Sequence, residues 1–195
     1  MNIYLDFDDT ITDSVQNLVR IVNKRYDKRV RWNDIGEWDF SDVYPDMPHK
    51  DIVKVFGEQE FFDTLYAKEY AILALHKLSK RNDIFIVSKC DDTASKRKYE
   101  WIKSHLHDTG IDVEFTAIPL NSSKGLVDMS GGIFVDDNVR FLKETNAKYK
   151  ILFNNHRKFD AEQDWKGLEV DNWYDLYDVM ADIIGIEKEI TNGKI

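Results

Sequence analysis

An apolar run that starts at Ile3 ends abruptly in three carboxylates, Asp6, Asp8 and Asp9, followed by Thr10. Carboxylates crowded at the tip of a buried strand repel one another, and burying them is costly unless a cation or hydrogen bonds compensate. Asp also opens turns and caps helices readily, so a plain loop is the competing explanation. Other parts of the chain argue against it. Residues 84–87, Ile-Phe-Ile-Val, lead into Ser88, and residues 133–135, Ile-Phe-Val, lead into Asp136 and Asp137. The loop Asn-Ser-Ser-Lys-Gly adds a cation, Lys124. In an open parallel sheet, ligands bind beyond the carboxyl ends of the strands, so independent strands deliver these groups to one shared edge.

Such a set suits phosphoryl transfer. A phosphate monoester is a dianion, and a carboxylate nucleophile approaches it only when charge is neutralised. Mg²⁺ prefers a shell of carboxylates, backbone carbonyls and waters. Bound at this edge, it would shield the attacking carboxylate and the phosphoryl oxygens together. Ser88 and Lys124 would hold the remaining oxygens. One of Asp6 and Asp8 would face the phosphorus while the other sits beside the leaving oxygen, as acid and later as base. Plainer roles compete at each position. One of Asp136 and Asp137 is placed to cap a helix starting at Val139, Ser88 suits a strand-end turn, and Lys89 and Lys98 lie near the same edge as Lys124.

The elements that must position these groups alternate. Asn2–Leu5 reads as a short buried strand. From Asp13, a good N-cap, the residues Val15, Leu18, Val19, Val22 and Tyr26 follow helical spacing. Residues 27–66 then hold Pro45 and Pro48 among Trp32, Trp38, Phe40 and Tyr44, which predicts an irregular, mainly helical insertion with short pieces such as 51–56. A helix with Ala71, Leu75 and Leu78 on one face follows, then strand 84–87 and a helix over 93–107 stopped by Gly110. Strands 113–118 and 133–135, a short helix from Val139, strand 150–153 and a helix over 173–184 complete the pattern, with a loose tail expected after Ile186. This alternation predicts an α/β fold, a mostly parallel sheet covered on both faces.

Composition narrows the function. The 195 residues suit one domain, or one domain with a sizeable insertion. With 43% hydrophobic residues and five Trp, the chain reads as a compact globule. A net charge of −9 works against a nucleic-acid polymer as partner. Lys96, Arg97 and Lys98 sit among acids and read as a solvated helix face. A single cysteine, Cys90, excludes an internal disulfide framework and a multi-cysteine zinc site. It reads as a free thiol in a reducing compartment, with no catalytic role assigned. His105 and His107, two apart in a helical stretch, make a poor metal pair. No run approaches a membrane span, and no charged leader with an apolar core precedes the first strand. A cytoplasmic protein without membrane partners is expected, with a homodimer left open.

The quoted residues resemble a known family. Asp-Phe-Asp-Asp-Thr at 6–10 matches the Asp-x-Asp-x-Thr/Val signature of the haloacid dehalogenase (HAD) superfamily of phosphatases. Residues 84–88 resemble its second motif, Lys124 its third and residues 133–137 its fourth, in the same order across the whole chain. The resemblance implies a Rossmann-like fold, a phosphoaspartyl intermediate on Asp6, and Asp8 as general acid/base. It also implies Mg²⁺ held by Asp6, the Asp8 backbone carbonyl and the Asp136/Asp137 pair. The usual Gly after the second Asp is here Asp9, which alters the loop slightly and removes no catalytic group.

A narrower resemblance is to the 5′(3′)-deoxyribonucleotidases, which insert a helical cap just after the first motif. Residues 14–79 would be that cap, and 1–13 with 80–195 the catalytic core. GEWDFSDVYPD is similar to the family's aromatic cap stretch, and EFFDTLYA to its double-Phe stretch. KRKYEWIKSHL is similar to the helix after the second motif, and SSKGLVDMSGGIFVDD to the segment from the lysine to the acid pair. Ser88-Lys89 replaces the usual Thr-Ser. Phosphate chemistry alone accepts any monoester, so selectivity falls to the cap. Trp38 and Phe40, in a stretch without helical periodicity, offer aromatic faces on which a nucleobase stacks. A nucleoside monophosphate is therefore the expected substrate, although aromatics also dominate small cores. The alternatives are a phosphatase for another small phosphorylated metabolite or for a nucleic-acid end, the latter disfavoured by charge. A non-enzymatic binding protein would require a lost nucleophile or metal ligand, and none is lost.

Overall fold

Six apolar runs form strands in the computed structural model, which describes residues 1–191: β1 (Asn2–Leu5), β2 (Asp83–Lys89), β3 (Glu114–Ile118), β4 (Ile133–Asp136), β5 (Tyr149–Phe153) and β6 (Leu168–Val170). They pair in the order β3-β2-β1-β4-β5-β6, every pair parallel. This is the expected parallel α/β sheet. The helices are α1 (Ser14–Tyr26), α2 (His49–Val53), α3 (Gln59–Asp63), α4 (Ala71–Ser79), α5 (Asp92–His105), α6 (Val139–Glu144), α7 (Lys158–Ala161) and α8 (Trp173–Thr191).

Both faces of the sheet are covered, which is why its strands are nearly continuous apolar runs. Ile3, Leu5, Ile84, Ile86, Ile133, Val135, Ile151 and Phe153 share one core cluster with residues of α1, α4, α5 and α8. The alternate residues Tyr4, Val87, Phe134 and Leu152 pack with Val139 and Leu142 of α6. The strand order turns outward in both directions from the β1/β4 pair, and the carboxyl edge at such a switch point opens a crevice for ligands.

Between β1 and β2 the chain is helical and irregular, as expected. Single 3-10 turns at Trp32–Asp34 and Lys54–Gly57 join α1 to α2 and α2 to α3. Helices this short are marginal alone. They persist because Ile35, Phe40, Tyr44, Ile52, Val55 and Phe61 bury into the same cluster as β1.

Several expectations need correction. Asp13 stands at the N-cap of α1, but its carboxylate accepts from Lys68 Nζ at 2.7 Å instead of capping. The first turn is served from Asp9, whose Oδ1 accepts the Val15 N–H at 3.0 Å. The helix expected over 93–107 is α5, which stops at His105; a 3-10 turn at His107–Thr109 and Gly110, at φ +81°, complete the exit. The tail expected to be loose after Ile186 is helical through Thr191. Lys148 holds Glu187 at 2.6 Å and so ties the final turns to the start of β5; residues 192–195 of that tail lie outside the described residues. Helix α7 and edge strand β6 were not foreseen. No helix among the described residues is long and apolar enough to cross a membrane.

Candidate active site

Strand register builds the site. Ile3 lies opposite both Ile84 and Ile133, and Leu5 opposite both Ile86 and Val135, so β1, β2 and β4 deliver their carboxyl ends to one edge. Asp6 donates its backbone N–H to Val135 O at 2.9 Å, which holds it beside Asp136. Asp6, Asp136 and Asp137 are buried, and one carboxylate oxygen of each lies within 4.8 Å of the others. Lys124 Nζ enters between two of them, at 2.5 Å from Asp6 Oδ1 and 2.7 Å from Asp136 Oδ2. The turn that carries Lys124 presses on the end of α6: a Cβ on Gly125 would lie 2.5 Å from Glu144 O, so glycine is required there.

Burial raises the pKa of Asp6, with Lys124 opposing the shift. It pushes Asp136 up to about 7 and Asp137 well above the usual carboxylate range, opposed by Lys124 and Arg157 respectively. Burial works against the charge of Lys124 as well, yet Asp136 and Asp6 outweigh it and raise the lysine's pKa. Three desolvated carboxylates with one lysine among them carry excess negative charge, and all their donors are hard oxygens. That donor set fits Mg²⁺.

Asp8, on the same loop, has a different setting. Its side chain is 27% exposed, its Oδ1 accepts from Ser14 Oγ at 2.7 Å, and its Oδ2 pairs with Lys98 Nζ. Lys98 Nζ also donates to Ser88 Oγ at 2.8 Å, at the end of β2. Lys98 is thus a site residue and not part of a solvated face: it is 4% exposed. Sequence held a signal for it. Ala94, Lys98, Trp101 and Ile102 form the buried stripe of α5, and a lysine in an apolar stripe needs a buried partner. The edge therefore holds two lysines, Lys124 on Asp6 and Lys98 on Asp8.

A family model described as "5' nucleotidase, deoxy (Pyrimidine), cytosolic type C protein" matches residues 1–185. The chain belongs to this family. It is a phosphoric monoester hydrolase. Among curated proteins it is similar to a 5'(3')-deoxyribonucleotidase of Clostridium acetobutylicum, 28% identical over 83% of this chain and 88% of that protein. Among solved structures, a HAD-superfamily hydrolase from Geobacter sulfurreducens aligns with a TM-score of 0.55 at 10% identity, over 91% of this chain and 95% of that one. A Bacillus subtilis HAD-hydrolase solved with magnesium bound aligns at 0.55 and 13% identity, over 91% and 97%. These structures share the fold.

Within this family member, sequence reasoning missed one more group. Arg157, buried in the loop after β5, bonds Asp9 Oδ2 at 2.7 Å, Asp137 Oδ2 at 2.6 Å and Asp160 Oδ1 at 2.8 Å. Burial raises the pKa of Asp9, with Arg157 opposing the shift. His-Arg-Lys-Phe-Asp contains one partner, Asp160, but does not mark this arginine as a site group, because Asp137 and Asp9 lie 20 and 148 positions away. The two aromatic candidates separate. Trp38 is 39% exposed, with its ring edge-on to Phe159 and the Arg157 guanidinium carbon 5.2 Å from its centroid. Phe40 is 1% exposed and packs among Phe56 and its neighbours, so it presents no face to a ligand. Its expected substrate contact is replaced by a packing role.

Proposed function

We propose that this hydrolase removes the phosphate of nucleoside monophosphates in two steps, through an aspartyl phosphate. One observation carries the reading: two carboxylates two residues apart sit in opposite settings. Asp6 is buried and paired with Lys124, whereas Asp8 is partly open and held by Ser14 and Lys98. Asp6 attacks phosphorus, the ester P–O bond breaks, and Asp8 gives its proton to the leaving oxygen. Water then attacks phosphorus and loses its proton to Asp8. The bond to Asp6 breaks, and inorganic phosphate departs with both carboxyl groups restored. Lys124, Lys98 and Ser88 supply fixed donors for the phosphoryl oxygens. Asp6, Asp136, Asp137 and the Asp8 backbone carbonyl would hold Mg²⁺, whose charge shields these carboxylates from the phosphoryl dianion.

Residues 14–79 act in this reading as a cap over the edge, with Trp38 as the platform for the base. The name of the clostridial relative and the family description support a nucleotide as substrate. Buried Cys90, a free thiol, fits a reducing cytoplasm. A panel of deoxy- and ribonucleoside monophosphates, sugar phosphates and an aryl phosphate, assayed with Mg²⁺ and with EDTA, tests it. The expected result is Mg²⁺-dependent release of phosphate with nucleoside monophosphates preferred. Equal rates in EDTA, or a preference for sugar phosphates, would overturn it.

A further inference from the structure

The chemistry above uses Asp137 but leaves unexplained why a guanidinium and two further carboxylates, Asp9 and Asp160, converge behind it. Arg157 engages Asp160 side-on, Nε to Oδ2 at 2.9 Å and Nη2 to Oδ1 at 2.8 Å. Its Nη1 reaches Asp9 Oδ2 at 2.7 Å, and its Nη2 also reaches Asp137 Oδ2 at 2.6 Å. Every nitrogen of the fork is committed, which leaves the guanidinium plane one orientation. The rings of Trp38 and Phe159 lie 5.2 and 5.8 Å from its carbon.

Asp9 is held just as firmly. Its φ of +52° lies in the left-handed region that residues other than glycine adopt rarely. Asn155 Nδ2 grips its carbonyl at 3.0 Å, the Val15 N–H its Oδ1 at 3.0 Å, and Arg157 its Oδ2. Such a conformation persists only where its surroundings over-determine it. A glycine at this position would satisfy the backbone and leave Arg157 one partner short.

We infer that Arg157, oriented by Asp9 and Asp160, is a positioning residue for the cation site. It fixes Oδ2 of Asp137, whose Oδ1 accepts no hydrogen bond among the described residues, and so sets how this carboxylate is held beside Asp6 and Asp136. This rests on the reading of that cluster as a Mg²⁺ site. Partners behind a metal ligand set its orientation, and losing one costs about 10–100-fold in metal affinity.

The test is the Mg²⁺ dissociation constant of the full chain by calorimetry, with the melting temperature in EDTA measured beside it. Arg157→Lys keeps the charge but loses the planar fork. Asp9→Asn keeps the shape and tolerates left-handed backbone. Each variant should weaken Mg²⁺ binding about tenfold or more. The double variant should bind no more weakly than the poorer single one, because both act through the same oxygen. Folded variants with the wild-type constant and only a lowered melting temperature would show a structural role and overturn the inference. If Arg157→Lys does not fold, Asp9→Asn decides by the same readout. Failure of the wild-type chain itself to bind Mg²⁺ would overturn the cation reading, and this inference with it, before any variant is made.

Discussion

The carboxyl edge of the sheet and the helical segment 27–66 differ in what places their side chains. At the edge, backbone register does it: Leu5 opposite Val135 puts Asp6 beside Asp136, and Lys124 bridges those two acids. In segment 27–66 the α-helices have only five residues each, and tertiary packing chooses which face is buried. Trp38 and Phe40, two residues apart, end at 39% and 1% exposure. The edge thus holds its side chains by strand register, while the helical segment places each of its own by packing.

The sharpest way to test this division is at the edge. Asp6→Asn keeps the shape but removes the nucleophile and one metal charge, so kcat should fall by several orders of magnitude with the fold intact. Near-normal turnover would remove Asp6 from the chemistry. Asp8→Asn should spare an activated aryl phosphate and lower kcat for nucleoside monophosphates by roughly 10²–10⁴-fold, since a basic leaving group needs the proton most. Equal losses on both substrates would count against a proton-transfer role.

The helical segment should respond differently. Trp38→Ala should raise KM for nucleoside monophosphates about tenfold, matching the loss of one stacking contact of roughly 1–3 kcal/mol. It should leave a small aryl phosphate nearly unaffected. Phe40→Ala should instead cost about 3–5 kcal/mol of stability, with both substrates affected alike. Parallel losses in KM for both substrates and in melting temperature at Trp38 would make it a packing residue too.

The smallest effect concerns pH. Asp136 is pushed up to about 7 by burial, so the folded protein binds its proton more tightly than the unfolded chain does. The stability it contributes is complete below about 3.8 and is lost as pH rises through about 7. The metal-free protein should therefore melt at a lower temperature at pH 8 than at pH 5 in EDTA, and Mg²⁺ should narrow the gap. A melting temperature that rises with pH in EDTA would contradict this.

Short-range physics made much of the molecule legible in the sequence. Apolar runs bounded by turn residues specify strands, and the first four strands pair as parallel neighbours whose carboxyl ends carry Asp6, Ser88 and Asp136. The acids and the lysine at those ends announce their chemistry because burying such groups without one another is costly. The helical period even contained Lys98, on the buried stripe of α5. Other features have no local signature. Lys98 reaches Asp8 across 90 positions and Arg157 reaches Asp9 across 148, and no periodicity encodes such pairs. Helix α7 depends on the same arginine, with Asp160 Oδ2 accepting both its backbone N–H and its Nε. The end of α8 depends on Lys148, and the fates of Trp38 and Phe40 on which ring found a cavity. Local sequence determines which groups arrive at the edge, because strand direction and alternation are properties of neighbouring residues. Only the tertiary structure decides which charges meet there, because the balance between desolvation and pairing is struck between residues far apart in the chain.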